Sequence, residues 1–284
     1  NGVPAVAMAM IRWIIENRRY DAAYLANANK AAARADGEPS WSQAAWLVKI
    51  GEDGKPGKFL RASDLGRPTE KRTRKDGSSW EFDAFIVKSG ADFLSFDPND
   101  EKNAAEGEIL VEAEVNGIRA KSVLQIIYEA AQAQSFAAWC ETAGVRTADV
   151  LDIAKEFTSH GKKAAADLHR GVSQHTIGFY NVAAWYVVNA LIGNMGWQGG
   201  LCKATTWNHV GNRPGKPFDT IKRFAGDIRP WGVNIIRHGS VYDKTTLFQG
   251  FPAKRPWYPF SSDIYQEVIP SIGDQYPYPI KALF

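Results

Sequence analysis

Ala164-Ala165-Ala166-Asp167-Leu168-His169-Arg170-Gly171-Val172-Ser173-Gln174-His175-Thr176-Ile177-Gly178 is the stretch on which the fold turns. It opens with a short apolar run, Ala164–Leu168, as expected of a buried parallel strand. Ahead of it, Thr147 is a good helix N-cap, Val150, Ile153, Ala154 and Phe157 recur at helical spacing, and Gly161 suits a helix stop. After it, Phe179 to about Ile192 reads as a second helix. A glycine cluster follows, Gly193-Asn194-Met195-Gly196-Trp197-Gln198-Gly199-Gly200. Helix, strand, loop, helix is half of a doubly wound layer. The expected fold class is therefore α/β, an open, mostly parallel sheet with flanking helices. Such sheets bind ligands beyond the carboxyl ends of their strands. Loop 169–178 sits at such an end and carries two His, one Arg, one Gln and two hydroxyls, a donor set suited to an anionic or phosphate-bearing ligand. Composition alone favours a plain polar surface loop; the position at a strand end brings the ligand reading level with it.

Working outward, residues 5–35 read as one or two Ala-rich helices ended by Asn27, Asn29 and Asp36-Gly37. Residues from about 36 to 120 read as a loop and hairpin insertion. Ala45–Ile50 and Phe82–Val87 look like strands, and Asn116-Gly117 between Ile109–Val115 and Ile118–Lys121 is a strong hairpin signal. A helix follows, with Val123, Leu124, Ile127, Tyr128 and Ala131 at helical spacing. Nine of the 14 prolines lie between Pro214 and Pro279, among crowded aromatics such as Trp257-Tyr258-Pro259-Phe260. The expected organisation is an α/β crevice domain over 1–202 and an extended, loop-rich region over 203–284 packing on it.

The chain has 284 residues, 34 Lys and Arg against 31 Asp and Glu, and a net charge of +3. That balance argues against nucleic acid as a partner. The basic run Arg67, Lys71, Arg72, Arg74 and Lys75 is diluted by Glu70 and Asp76 and reads as a solvated loop with no aromatic platform interleaved. The longest apolar stretch, Val182 to Ile192, is interrupted by Asn189 and is too short to span a bilayer. Cys140 and Cys202 are too far apart in sequence for a CxxC pair or a cluster cage. Cys140 reads as a buried small hydrophobe, and neither thiol has a neighbouring base. The glycine cluster has the wrong spacing for a dinucleotide fingerprint, and Gly211-Asn212-Arg213-Pro214-Gly215-Lys216 is one residue short of a phosphate loop. The five histidines, His160, His169, His175, His209 and His238, show no metal-ligand spacing. The excess of Trp and Tyr reads as core and interface filling.

Gly171-x-x-Gln174-His175-Thr176-x-Gly178, continued by Leu191-x-Gly193-Asn194-x-Gly196-x-x-Gly199-Gly200, resembles a signature of the molybdopterin oxidoreductases, the dimethyl sulfoxide reductase superfamily. Within it the chain is most similar in phrasing to the catalytic subunits of tetrathionate reductases. Ala9–Asn17, Tyr24–Asn27, Phe59–Gly66 and Tyr276–Leu283 extend the resemblance over essentially the whole chain. It implies a molybdenum held by two molybdopterin guanine dinucleotides, an iron–sulfur cluster, and periplasmic reduction of tetrathionate to thiosulfate. It also implies two partners, a membrane anchor and an iron–sulfur electron-transfer subunit, with a small sulfur oxyanion as substrate. Carried over by position, Arg170, Gly171, Gln174, His175, Thr176, Gly178, Asn194, Gly196, Gly199 and Gly200 become candidate cofactor-binding residues. Ile177 stands where many relatives carry Asn. Asn1-Gly2-Val3 stands where relatives often carry a Gly-Thr-Asp type motif that holds the guanine.

The family's cysteine cluster and molybdenum-ligand segment are absent from this sequence, so it reads as a piece of a larger subunit. By itself that piece is expected to be inactive and free of molybdenum. Two alternatives stand beside this reading. One keeps the superfamily with thiosulfate, polysulfide or an arsenic or selenium oxyanion as substrate. The other is a non-catalytic binding domain that uses its aromatic C-terminal region.

Overall fold

The computed structural model describes residues 2–74, 76–175 and 177–202, together with 273 and 275. The chain divides into two units, Asn1–Ala204 and Thr205–Phe284. The Pro- and aromatic-rich stretch expected at 203–284 lies, apart from two residues, outside the described residues.

The first unit is built around α1 (Val3–Glu16). Pro4 in its first turn presets the helical φ, and the helix has no acidic residue in its first turn and no basic residue in its last. Ala5, Ala7, Ala9, Met10, Ile11, Ile14 and Ile15 are all buried, so more than one face of the helix is covered. The small N-terminal side chains allow close packing. A Cβ on Gly2 would come within 2.4 Å of the Ala143 carbonyl oxygen. Two short helices follow, α2 (Ala22–Ala26) and α3 (Lys30–Ala35). The Asp21 and Asn29 side chains cap them by accepting from the amides of Tyr24 and Ala32, at 2.9 and 3.0 Å. The expected one or two helices over 5–35 are thus three.

Next come β1 (Leu47–Ile50), β2 (Pro56–Phe59), β3 (Glu70–Thr73), β4 (Ser79–Phe82), β5 (Phe85–Ser89), β6 (Asp92–Phe96), β7 (Glu112–Val115) and β8 (Ile118–Ser122). They form a four-stranded sheet in the order β2-β1-β8-β7 and two hairpins, β3-β4 and β5-β6. Asn116 and Gly117 take φ of 50° and 75°, the positive pair that the β7-β8 hairpin turn requires. The strand expected at Phe82–Val87 is broken in two. The Asp83 carboxylate accepts from the Ser63 amide and hydroxyl, which pulls the chain out of extension between β4 and β5. Trp46, Phe59, Phe85 and Phe96 pack ring against ring between these sheets, so here the aromatics fill core. The basic run is not all loop: Lys71 and Arg72 lie on β3, and the guanidiniums of Arg72 and Arg74 sit over Phe82 and Trp80.

The chain closes with α4 (Val123–Gln132), α5 (Phe136–Ala143), α6 (Thr147–Ser159), α7 (Arg170–Ser173) and α8 (Gly178–Leu191). Helices α4, α5, α6 and α8 all pack on α1. Cys140 is buried in this core, where burial pushes its thiol up against a hydrogen bond with Thr147. Among the described residues no helix is long and apolar enough to cross a membrane.

The open parallel sheet is not what the described residues form. Every ladder between named strands is antiparallel. Ala164–Leu168 is extended at its start, with φ −116° and ψ 153° at Ala164, but among the described residues it has no strand beside it. Its inward backbone groups are taken by side chains instead. Asn189 Oδ1 accepts from the Ala166 amide and Asn189 Nδ2 donates to the Ala166 carbonyl, both at 2.9 Å. A mixed α/β fold of helices with small antiparallel sheets replaces the expectation.

Ile14 is fully buried in the helical core. Ile14→Ala is expected to cost about 2–5 kcal/mol in urea unfolding, since transfer and cavity terms add. A loss under about 1 kcal/mol would show that α1 is not at the centre of this core.

Candidate functional site

Helix α8 divides the residues that the sequence singled out. Arg170, Gly171, Gln174 and His175 lie in and just after α7, before the start of α8, and all are exposed. Gly178 is the first residue of α8, and Thr176 lies outside the described residues. Asn194, Gly196, Gly199 and Gly200 lie beyond its other end. Helix α8 has 14 residues, which at 1.5 Å each span about 21 Å. The structure therefore gathers two groups and does not bring them to one point.

At the first group, Gln174 closes α7 and Asn181 Nδ2 donates to the Val172 carbonyl at 2.8 Å, tying the short helix back onto α8. The Arg170 guanidinium has no acidic partner among the described residues. A Cβ on Gly171 would meet nothing within 4 Å, so its backbone is open to approach. Gly178 is different, because a Cβ there would sit 2.0 Å from the Ser173 carbonyl oxygen. Its glycine is needed by the chain's own packing.

The second group is a closed turn. Leu201 N donates to Asn194 O at 3.1 Å and Gly196 N donates to Leu201 O at 2.9 Å. Gly196 and Gly199 take φ of 83° and 85°, the left-handed region that favours glycine. A Cβ on Gly200 would lie 2.4 Å from Asn194 O and 2.6 Å from Lys162 O. Asn194 is fully buried, and its Nδ2 donates to Ala164 O and Asn189 Oδ1, both at 2.7 Å. Asn194 thus spends its donors on the chain itself. Its Oδ1, like Asn181 Oδ1 and Trp185 Nε1, is buried without a partner among the described residues.

Sequence reasoning missed the cluster that anchors this turn. Lys162 Nζ bonds Glu38 and reaches Asp21 Oδ2 at 3.0 Å. It lies 5.2 Å from the Trp197 ring centroid, and Trp197 Nε1 donates to the other Glu38 oxygen at 2.8 Å. Ser40 Oγ donates to Met195 O at 3.1 Å. Desolvation pushes Lys162 down, but its bonds to Glu38 and Asp21 and their charges outweigh it and hold the ammonium above its usual pKa. Burial raises the Tyr24 hydroxyl beside it, against a hydrogen bond to Ser40. Beyond the turn, Pro39 joins Lys30, Arg34, Glu38 and Trp41 in lining a cleft of about 370 Å³ that includes none of the sequence-chosen residues. A lone Lys and a lone Glu 124 residues apart carry no sequence signal. Asn189 did carry one, as an amide in an otherwise apolar, uncharged turn of helix that must find partners.

No three of His, Cys, Asp and Glu converge to hold a metal among the described residues. The open backbone at Gly171 with the exposed donors of Arg170, Gln174 and His175 fits an anionic cofactor lying against α7. The turn at 193–200 is explained by its own packing.

Two tests follow from this division. Gly171→Ala leaves thermal stability of the chain unchanged or slightly raised, because a helical Gly→Ala gains up to about 1 kcal/mol. Gly200→Ala lowers it by about 2 kcal/mol or more, since two backbone oxygens must move. Equal losses from the two would reject the distinction. For Lys162 the sign is set by its raised pKa: the stabilisation is complete below the ordinary value of 10.5 and is lost as pH rises through the raised one. Lys162→Met, which strands the nearly buried Glu38, is expected to cost about 2–4 kcal/mol at pH 7 and to lose less stability than the parent above pH 10.5. Parallel stability–pH curves for the two proteins would refute the anchor.

Against family models the chain finds no match. Against known proteins it is 45% identical over 279 residues to a selenate reductase subunit of Mesobacillus selenatarsenatis. It is 35% identical over 290 residues to a tetrathionate reductase subunit of Archaeoglobus fulgidus, and 34% identical over 291 residues to its counterpart in Salmonella typhimurium. Each match covers 98% of this chain but only 26%, 24% and 27% of the respective relative. The chain spans about a quarter of the length of the relatives it matches. The chain is homologous to one segment of the catalytic subunits A of selenate and tetrathionate reductases, which belong to the molybdopterin oxidoreductase superfamily.

Proposed function

We propose that the chain is part of the catalytic subunit of a molybdenum-dependent oxyanion reductase, with a chalcogen oxyanion as terminal electron acceptor. The observation that carries this is the near-complete match of the chain to reductase subunits of that kind, one named for selenate and two for tetrathionate. The higher identity to the selenate reductase favours selenate as substrate over tetrathionate, the first expectation. Tetrathionate stays as the second reading, supported by two relatives that also cover the whole chain.

A bis-molybdopterin guanine dinucleotide with molybdenum, when bound, supplies the two-electron chemistry. This chain's part is binding and charge. Arg170, Gln174 and His175 offer donors to the cofactor's anionic groups, and Gly171 lets them lie close to the backbone. Arg170, with no acidic partner among the described residues, also attracts a dianionic substrate toward this end of α8. The donors are held by α7, which the Asn181 amide fixes against the start of α8. The family resemblance supports an iron–sulfur cluster, an iron–sulfur partner subunit with a membrane anchor, and a periplasmic location.

The test is turnover by the purified full-length enzyme with a reduced viologen as donor. Selenate is expected to be consumed with two electrons per selenite formed, at a kcat/KM at least about tenfold above that for tetrathionate, a difference of about 1.4 kcal/mol. The reverse order would move the assignment to tetrathionate. Turnover of neither oxyanion, in enzyme shown by metal analysis to contain molybdenum, would sink the proposal. Arg170→Ala is expected to raise KM for either dianion several-fold, an effect that shrinks as ionic strength rises.

A further inference from the structure

We propose that the cavity between β1, β2 and the turn at Ser63–Leu65 binds a small carboxylate with an apolar body, and that Arg61 and Lys58 supply its cationic groups. The cavity measures about 430 Å³, within the usual range for small-molecule sites. Phe59–Gly66, one of the stretches that carry the family resemblance, forms one side of it. None of the residues assigned above to the cofactor lines it. Local pairing sets this wall. The Leu60 amide donates to the Leu47 carbonyl at 2.8 Å and the Ala62 amide to the Ala84 carbonyl at 2.9 Å, so the stretch is held between β1 and the residue ahead of β5. Gly66, with φ of 74°, closes the turn.

The anchor is Arg61. Its half-buried guanidinium lies 3.4 Å from the centroid of the Phe85 ring, and Nη1 donates to the Asp83 carbonyl at 3.1 Å. The cation is thus stacked on one face and fixed at one corner, while Nε and Nη2 make no hydrogen bond among the described residues. Two acids line the same cavity, but both are engaged elsewhere. Asp64 accepts from Lys49 Nζ at 2.7 Å and from the Arg61 backbone amide at 2.8 Å. Asp83 accepts from the Ser63 amide at 3.0 Å and from the Ser63 hydroxyl. Burial accordingly pulls the Arg61 pKa below its ordinary value, against the opposing charges of Asp83 and Asp64. At Arg72 the bonds to Glu70 and Asp97 outweigh burial and do the reverse. An anion delivered to Arg61 supplies the compensation that the fold withholds.

Charge and walls set the class of anion. Lys49, Lys58 and Arg61 stand against Asp64 and Asp83, which leaves one positive charge for a monoanion to neutralise. Lys58 is exposed and has no acidic partner among the described residues. A guanidinium edge with two parallel N–H groups matches a carboxylate in bidentate geometry. Phe59 and Val48 give the ligand an apolar surface beside that edge, which an inorganic oxyanion cannot use.

The site rests on Arg61 and its surroundings and not on the substrate of the reductase. A full-length protein that reduces neither oxyanion would overturn the proposed function and leave this site standing. The experiment is titration calorimetry of the full-length subunit with benzoate and hexanoate, and with the neutral amides benzamide and hexanamide. At least one carboxylate is expected to bind with a Kd of about 1 mM or tighter, and its amide at least about tenfold more weakly. Arg61→Met is expected to weaken the carboxylate at least about tenfold. Because Arg61 also holds the Asp83 carbonyl, Lys58→Met gives a second reading at an exposed position. It is expected to weaken binding about twofold to fivefold and to leave the melting temperature within about 2 °C of the parent. Absence of binding by both carboxylates overturns the proposal. Binding that Lys58→Met leaves unchanged overturns it too, whatever the fate of Arg61→Met. An amide that binds as tightly as its carboxylate shows an apolar pocket with no anion site. Sulfate that binds in an Arg61-dependent way more tightly than either carboxylate overturns the assignment in favour of an inorganic oxyanion.

Discussion

The buried amide of Asn189 is the joint on which this end of the molecule depends. It receives the Ala166 amide, donates to the Ala166 and Trp185 carbonyls, and accepts from Asn194 Nδ2. A side chain thereby does for an extended segment what a neighbouring strand does in a sheet. Leaving these backbone groups buried and unpaired would cost about 1–3 kcal/mol each. That sets where the chain can run. Ala164–Leu168 must lie against the C-terminal half of α8, and the chain must then travel the length of the helix before it can turn into it. Arg170, Gln174 and His175 consequently appear at the far end from the glycine turn, even though the two stretches are close in sequence.

Charge is organised in the same local way. Lys162 sits between Asp21 and Glu38, and Arg72 between Glu70 and Asp97, so each of these cations faces two acids. The Glu70 bond and the Asp97 pair hold the Arg72 guanidinium above its usual range against its desolvation. Such cations bind parts of the fold together and have no charge left for a visitor. Arg170 is exposed and lacks an acid among the described residues. In a chain with a net charge of only +3, this difference in pairing separates a cation that holds the structure from one available to an anionic ligand.

Local signals in the sequence translated well into local structure. Asn116-Gly117 gave the hairpin, and the periodicities at 123–131 and 147–157 gave α4 and α6, whereas Asn29, read as a helix end, starts α3 as its N-cap. What failed were inferences that need a partner distant in sequence. Ala164–Leu168 has the composition of a buried strand, and it is extended, but strand pairing is decided by what lies beside it. Phe82–Val87 reads as one strand from its aromatic and β-branched residues, yet Ser63 recruits Asp83 and breaks it. The β3–β4 hairpin hid its aromatic platform for the same reason: Trp80 and Phe82 meet Arg74 and Arg72 only across the ladder. Half of the candidate site was legible as a motif, while the Lys162 anchor, assembled from residues at 21, 38, 162 and 197, was not.

The glycines show why a motif need not mark a single contact surface. Gly171, Gly178 and Gly200 belong to one sequence signature. Only Gly171 stands in open space, whereas Gly178 and Gly200 are pressed against the carbonyl oxygens of Ser173, Asn194 and Lys162. The last two would be required of a protein that bound nothing, because a side chain there collides with the protein's own backbone. Among the described residues, nothing gives such an internal reason for the absence of a side chain at Gly171. A helical position that could hold alanine without cost, and is glycine instead, leaves room for a backbone contact from outside. On the proposed reading the ligand-facing part of the signature is the short helix α7 and the two residues after it, while Asn194 of the glycine turn ties Ala164 to Asn189 of α8.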